Sequence, residues 1–168
     1  RFGVLKLDSA YGPETLPLFL PVRAMYWNGT QWTRNTDDSC TKLVTATANP
    51  ARNIAIGNFK GGLASGDITI SAADVTLASG MASIRIESPG AGKQGGAEVA
   101  LNLNPAATAN DSSCIVWGAG ALAPNVTAGA GLEHLKGTWC GNTYVRDPNA
   151  NIRFGVPKSQ FLYMRERY

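Results

Sequence analysis

Four groups of residues have types and spacings that could do chemistry. Asp37-Asp38-Ser39-Cys40 sets two carboxylates beside a thiol. Calcium takes six or more oxygens, and no Asp-x-Asp-x-Asp-Gly pattern surrounds this pair. The competing reading is an Asx turn leading into a strand. Gly92-Lys93, inside the loop Ser88–Gly96, invites a phosphate-loop reading. A phosphate loop needs a leading Gly and a Ser or Thr after the Lys; here those positions are Glu87 and Gln94. It must also open a helix, whereas alternating segments flank this one, so a hairpin loop is expected. Glu133-His134 holds the single histidine. A nucleophilic triad needs a nucleophile, a base and an orienting acid that meet in space, and no nucleophile elbow is present. Finally, Trp27, Trp32, Trp117 and Trp139 could stack on the apolar faces of sugars, although core packing and cross-strand pairing are the commoner fate of such rings.

No catalytic residue emerges from these groups, and the expectation is a protein that is not an enzyme. The cysteines are Cys40, Cys114 and Cys140, with no Cys-x-x-Cys among them. A zinc site needs about four nitrogen or sulfur ligands, so neither a metal nor another cofactor is expected. Lys and Arg number 15 and Asp and Glu 12, a net of +3. The charge lies at the ends: residues 1–35 sum to +2, residues 36–150 to −2 and residues 151–168 to +3. A nucleic-acid footprint needs a denser basic cluster, so no nucleic-acid partner is expected. No apolar run reaches the length of a membrane-spanning helix, so no membrane insertion is expected either.

The elements that must position these residues are strands. Gly (19) and Pro (9) make up 28 of 168 residues, which argues against long helices. The dominant period is two. Val99, Leu101 and Leu103 alternate with polar or small residues, as do Ile84 and Ile86, Ile68 and Ile70, and Ile152, Phe154 and Val156. Trp27-Asn28-Gly29-Thr30-Gln31-Trp32 reads as a hairpin, because Asn-Gly tolerates the φ > 0 of a tight turn and leaves aromatics to pair across the arms. Leu16–Val22 is apolar but contains Pro17 and Pro21, which predicts an edge or bulged strand. Loops are expected at 8–14, 34–42, 48–53, 88–97, 104–113 and, rich in Gly and Ala, 118–131. Only 71–79 and 130–136 could hold a helical turn. Many short strands separated by turns predict a single all-β domain over residues 1–168, a β-sandwich of immunoglobulin-like or jelly-roll-like type with long Gly/Ala-rich loops. Apolar residues at both ends, Phe2, Val4, Leu5 and Leu7 and then Phe161–Met164, are expected to join a sheet network, within one subunit or between subunits.

Arg1-Phe2-Gly3-Val4-Leu5-Lys6-Leu7, Ala10–Leu18, Pro21–Gly29 and Asn35–Thr41 form one set of motifs. Asp147-Pro148-Asn149-Ala150, Arg153-Phe154-Gly155-Val156 and Tyr163-Met164-Arg165-Glu166 form another. With the Pro89-Gly90-Ala91-Gly92 loop, these resemble the C-terminal domain of MshQ-like proteins, linked to biogenesis of the mannose-sensitive haemagglutinin type IV pilus in Gram-negative bacteria. The resemblance implies an exported protein of the bacterial cell surface, often with a lectin-like domain upstream. It carries over no catalytic residues. A chain that begins at Arg1 reads as a piece of a longer precursor.

Segment 113–146 departs from that pattern, and Cys114, Trp117, Trp139 and Cys140 mark it as a local elaboration. A Cys114–Cys140 disulfide is expected to pin the Gly/Ala-rich loop between them, with Cys40 bridged to either, or to another chain, as the alternative. Two function classes follow. One is a non-enzymatic structural or adhesive β-module of a pilus-associated surface protein, with Trp27 and Trp32 as a carbohydrate-stacking pair. The other is the subunit of a self-assembling extracellular fibre, in which Phe2, Val4, Leu5 and Leu7 pair with a neighbour's sheet edge. The partners implied are other pilus or surface proteins, copies of the chain itself, or carbohydrate.

Overall fold

A computed structural model of the protein describes residues 3–43, 54–71, 75–103, 115 and 131–155. The expected segments at 48–53, 104–113 and 156–168, with Phe2, Cys114 and Trp117, lie outside the described residues. The structure is all-β. The strands are β1 (Gly3–Leu7), β2 (Ala10–Gly12), β3 (Leu18–Trp27), β4 (Trp32–Arg34), β5 (Lys42–Leu43), β6 (Ile54–Gly61), β7 (Val75–Thr76), β8 (Met81–Ile86), β9 (Gly95–Leu101) and β10 (Asn149–Phe154). Two 3-10 turns, Ser65–Asp67 and Glu133–Leu135, are the helical elements among the described residues. The second falls where a helical turn is expected. Of the other, 71–79, residues 72–74 lie outside the described residues, and Val75 and Thr76 form β7, which pairs as a strand with β5.

Two four-stranded sheets form a sandwich. In the first sheet β3 lies between β1 on one side and β8 and β4, end to end, on the other. The second sheet has the order β2-β10-β9-β6. The period of two does the work expected of it: Leu18, Leu20, Val22, Ile84 and Ile86 of the first sheet meet Ile54, Ile56, Val99, Leu101, Ile152 and Phe154 of the second in one core. Burying each such side chain stabilises the fold by about 1.5–3 kcal/mol.

Three connections differ from expectation. The segment 8–14 is not all loop. After β1 the chain crosses between sheets at Asp8 and Ser9, and β2 then pairs in parallel with β10. Asp8 anchors this crossing: it holds Arg23 in a salt bridge, lies 3.5 Å from Lys6 Nζ and donates its N–H to Pro21 O at 3.0 Å. The pairing of β2 with β10, extended by Gly155 N–H to Gly12 O at 2.9 Å, joins the two described ends of the chain in one sheet.

The second correction concerns β3, which is central rather than an edge despite Pro21. The Pro21 carbonyl accepts from Asp8, so its imide nitrogen faces the side from which β1 has just departed. No ladder bond to β8 is lost, which is the condition under which a sheet tolerates proline. The third is the loop before Gly95, which is not a hairpin. It carries the chain from β8 in the first sheet to β9 in the second. Lys93 Nζ lies 2.9 Å from Asp67 Oδ1, and Gln94 Nε2 donates to Glu14 Oε1 at 3.1 Å.

Candidate functional site

The Trp27–Trp32 hairpin forms as the residues dictate, with a four-residue loop in place of a minimal turn. Asn28 Oδ1 accepts from the N–H groups of Thr30 and Gln31, both at 2.9 Å, and Gly29 takes φ +102°. This Asx turn sets Trp27 opposite Trp32. Their rings meet edge to face, with centroids 5.8 Å apart and planes at 66°. Such a geometry suits the aromatic quadrupole, but it is not one flat platform.

A second segment completes the site on the outer face of the first sheet. Residues 132–147 run as a strap from the end of the second sheet. Leu132 N–H bonds Leu103 O at 2.8 Å, and Leu132 and Leu135 pack on the core. Gly137 and Arg146 exchange backbone hydrogen bonds at 3.0 and 3.1 Å, closing the loop between them. The return is fixed by Asp147, which is 3% exposed, accepts from Leu103 N–H at 3.2 Å and lies 3.9 Å from Lys136 Nζ. Trp139 folds back over Gly137, where a β-carbon would come within 2.6 Å of its Nε1, so this position requires glycine.

The strap and the sheet enclose a cavity of about 290 Å³ lined by Val4, Lys6, Met25, Trp32, Trp139 and Tyr144, with Gly137 and Thr138. Its volume is at the small end of ligand pockets, which start at about 300 Å³. The Trp32 and Tyr144 ring centroids are 6.5 Å apart and tilted by 44°. Trp139 Nε1 is buried with no hydrogen-bond partner. An orphaned buried donor costs about 1–3 kcal/mol. The cavity itself offers ring faces and the Lys6 ammonium. Sequence reasoning grouped Trp139 with Trp27 and Trp32 as possible sugar-stacking rings but missed Tyr144, which the loop between Gly137 and Arg146 brings to the same cavity.

The other sequence candidates resolve differently. Asp38 caps its own turn, accepting from Cys40 N–H (3.3 Å), Thr41 N–H (3.0 Å) and Thr41 Oγ1 (2.8 Å). Cys40 is an exposed free thiol. Asp37, Asp38, Cys40 and the exposed His134 line one cavity. Among the described residues, however, no group of three or more His, Cys, Asp or Glu side chains could hold a metal ion. Val4, Leu5 and Leu7 are buried in β1, which is registered against β3 of its own chain. Among the described residues no helix is long and apolar enough to cross a membrane.

No curated protein and no solved structure matches the chain. A family model does, over residues 1–167: the fourth domain of DUF6701. With nearly its whole length matched, the chain belongs to the DUF6701 family, in which it is the fourth domain.

Proposed function

We propose that this chain is a non-enzymatic structural and adhesive β-module of a pilus-associated protein on the bacterial cell surface, and that the aromatic cavity on its first sheet contacts carbohydrate. The observation that carries the reading is the cavity wall: Trp32, Tyr144 and Trp139 around one space, with the Lys6 ammonium beside them. Sugars present apolar faces and hydroxyl acceptors together, which is what this wall is suited to take. The motif resemblance to MshQ-like C-terminal domains supports the surface and pilus setting.

The pairing of β1 with β3 supports a self-contained module over a fibre subunit that donates its first strand. A Cys114–Cys140 disulfide belongs to the same reading. Its support is that Cys40 is an exposed free thiol, which leaves Cys114 and Cys140 as the remaining pair among the three cysteines. Closing a loop of about 27 residues stabilises a fold by roughly 3.5 kcal/mol on the chain-entropy model.

The test is tryptophan fluorescence with a panel of neutral oligosaccharides, beside sedimentation analysis of the chain. Monomers whose emission shifts with a saccharide, and Trp32→Ala monomers whose emission does not, are expected. Fibres, or a saccharide response untouched by Trp32→Ala, would overturn it. Non-reducing peptide mapping tests the disulfide; a bridge to Cys40 would sink that assignment.

A further inference from the structure

The outer face of the second sheet carries a different groove. Strand register lines up Tyr11, Arg153, Gly96 and Lys60 in one row across all four strands, and Asn151, Glu98 and Gly57 in the next. Gly96 removes a side chain from the middle of the first row, between Arg153 and Lys60, and Gly57 ends the second at the sheet's edge. What remains is a channel of about 420 Å³ with Tyr11, Asn58, Lys60, Glu98, Asn151 and Arg153 around a bare backbone floor. This volume lies within the usual range of ligand pockets.

The groove depends on a bulge in β6. Gly57 faces Glu98 and Lys60 faces Gly96, so two residues, Asn58 and Phe59, stand opposite one. Asn58 sits at φ +53°, a conformation that L residues rarely adopt. In a regular strand Lys60 would share the core side with Ile54 and Ile56. The bulge turns Phe59 onto the core instead and places Lys60 at the groove. Bulges are used in this way to re-aim side chains beside functional sites, and left-handed strain concentrates there too.

Lys60, Glu98 and Arg153 stand around one space, yet none of them makes an ion pair among the described residues. Among the described residues, two cations and one anion give the groove lining a net positive charge. Tyr11, 69% exposed, adds an apolar ring face at one end. From these features we infer that the second sheet binds a carboxylate-bearing saccharide, such as a uronic-acid oligomer. Arg153 and Lys60 take the carboxylate, Tyr11 stacks on the sugar ring, and Glu98, Asn58 and Asn151 hydrogen-bond the hydroxyls. Arg presents two parallel donors to a carboxylate, which gives direction as well as charge. This site is on the opposite face from the aromatic cavity and does not rest on it.

The test is a titration of the isotopically labelled 168-residue chain, followed by NMR, with three probes: galacturonic-acid trimer, the neutral galactose trimer and hexaglutamate. The acidic trimer is expected to shift the amides of Tyr11, Lys60, Glu98 and Arg153 and to bind at least about tenfold tighter than the neutral one, since hydrogen bonds to charged groups are worth that much or more. Arg153→Gln and Lys60→Gln should each lower that affinity about tenfold. Tyr11→Ser, at an exposed ring, should weaken it without unfolding the chain, and Trp32→Ala should leave it unchanged. Equal binding of the two trimers would overturn the inference. So would equal binding of hexaglutamate, which would reduce the site to charge alone, or full affinity in a folded Arg153→Gln variant.

Discussion

The two outer faces of this sandwich are hollow for opposite reasons. On the first sheet a strap is laid over large side chains, and the space between Trp139 and Tyr144 above and Val4, Met25 and Trp32 below is what packing leaves. On the second sheet the hollow is made by omission: Gly96 sets no side chain between Arg153 and Lys60. One face thus collects aromatic surface and the other exposes ionic groups, above and below a shared aliphatic core. A concavity built by a strap lasts only as long as the strap's anchors hold, whereas one built from missing side chains is as stable as the sheet beneath it.

The sharpest way to break this contrast is at Asp147. Replacing it by Ala removes the buried carboxylate that Lys136 Nζ faces at 3.9 Å and that accepts from Leu103 N–H. Breaking a buried pair on one side costs about 3–5 kcal/mol, a large part of a typical domain's stability of about 5–15 kcal/mol. Denaturant unfolding should register that loss. Hydrogen exchange should show residues 132–146 opening while the amides of β9 and β10 stay protected. A loss below about 1 kcal/mol would mean that the strap is held by something other than this anchor.

The complementary break is at Asn58. Asn58→Val forces a β-branched residue into the left-handed region at the bulge, at about 1–3 kcal/mol. Asn58→Gly removes that strain and should match or exceed the parent in thermal stability. Equal stability of the two variants would show that the bulge does not depend on this residue. A smaller effect is expected from Trp27→Ala on the strap side. The edge-to-face pair with Trp32 is worth about 0.5–1.5 kcal/mol beyond area burial, and Trp27 is already 44% exposed, so the melting temperature should fall modestly with the fold intact.

The contrast also explains what could be read from the chain. Val99, Leu101, Ile84, Ile86, Ile152 and Phe154 announced their strands because each strand has one buried face, and a half-buried strand must alternate. The Trp27–Trp32 hairpin was legible because its turn chemistry is local. β2 was hidden: three residues in a Pro/Gly-rich stretch become a strand only through parallel pairing with β10, far along the chain. Pro21 misled because the rule against proline in central strands depends on which side its nitrogen faces, and that is set by where β1 leaves the sheet. The groove of the second sheet was invisible for the same reason. Tyr11, Lys60, Glu98 and Arg153 come from four strands, and their alignment depends on register plus a bulge that shifts Lys60 by one place.

The smallest expected effect is one of pH, at the loop that ends beside the ionic groove. Gln94 Nε2 donates to Glu14 Oε1, and this hydrogen bond holds the Glu14 carboxyl below its ordinary value of 4.5, helped by backbone N–H groups. Lys93 does the same for Asp67, below its ordinary value of 3.8, with the Ala64 N–H adding to it. Both groups are therefore more acidic folded than unfolded. The unfolded chain binds protons first as pH falls, so the stability these contacts supply is present above the ordinary values and is lost as pH drops through the lower folded ones. Both carboxylates are only partly buried, at the surface of the fold, so the contribution is small and screened by salt. Global melting should barely report it, and local exchange should. Between pH 6 and pH 3, after correction for intrinsic exchange rates, amides of residues 90–94 should lose protection in the parent. In a Glu14→Gln/Asp67→Asn variant the same amides should start less protected and change little across that range. Gly62 N–H, bonded to Gln94 O at 2.7 Å, reports the hinge between this loop and the groove floor. If its protection falls with acid in the parent alone, the loop and the ionic face are coupled. If the parent and the variant respond alike, the two contacts do not hold the loop, and the groove owes its shape to the strands alone.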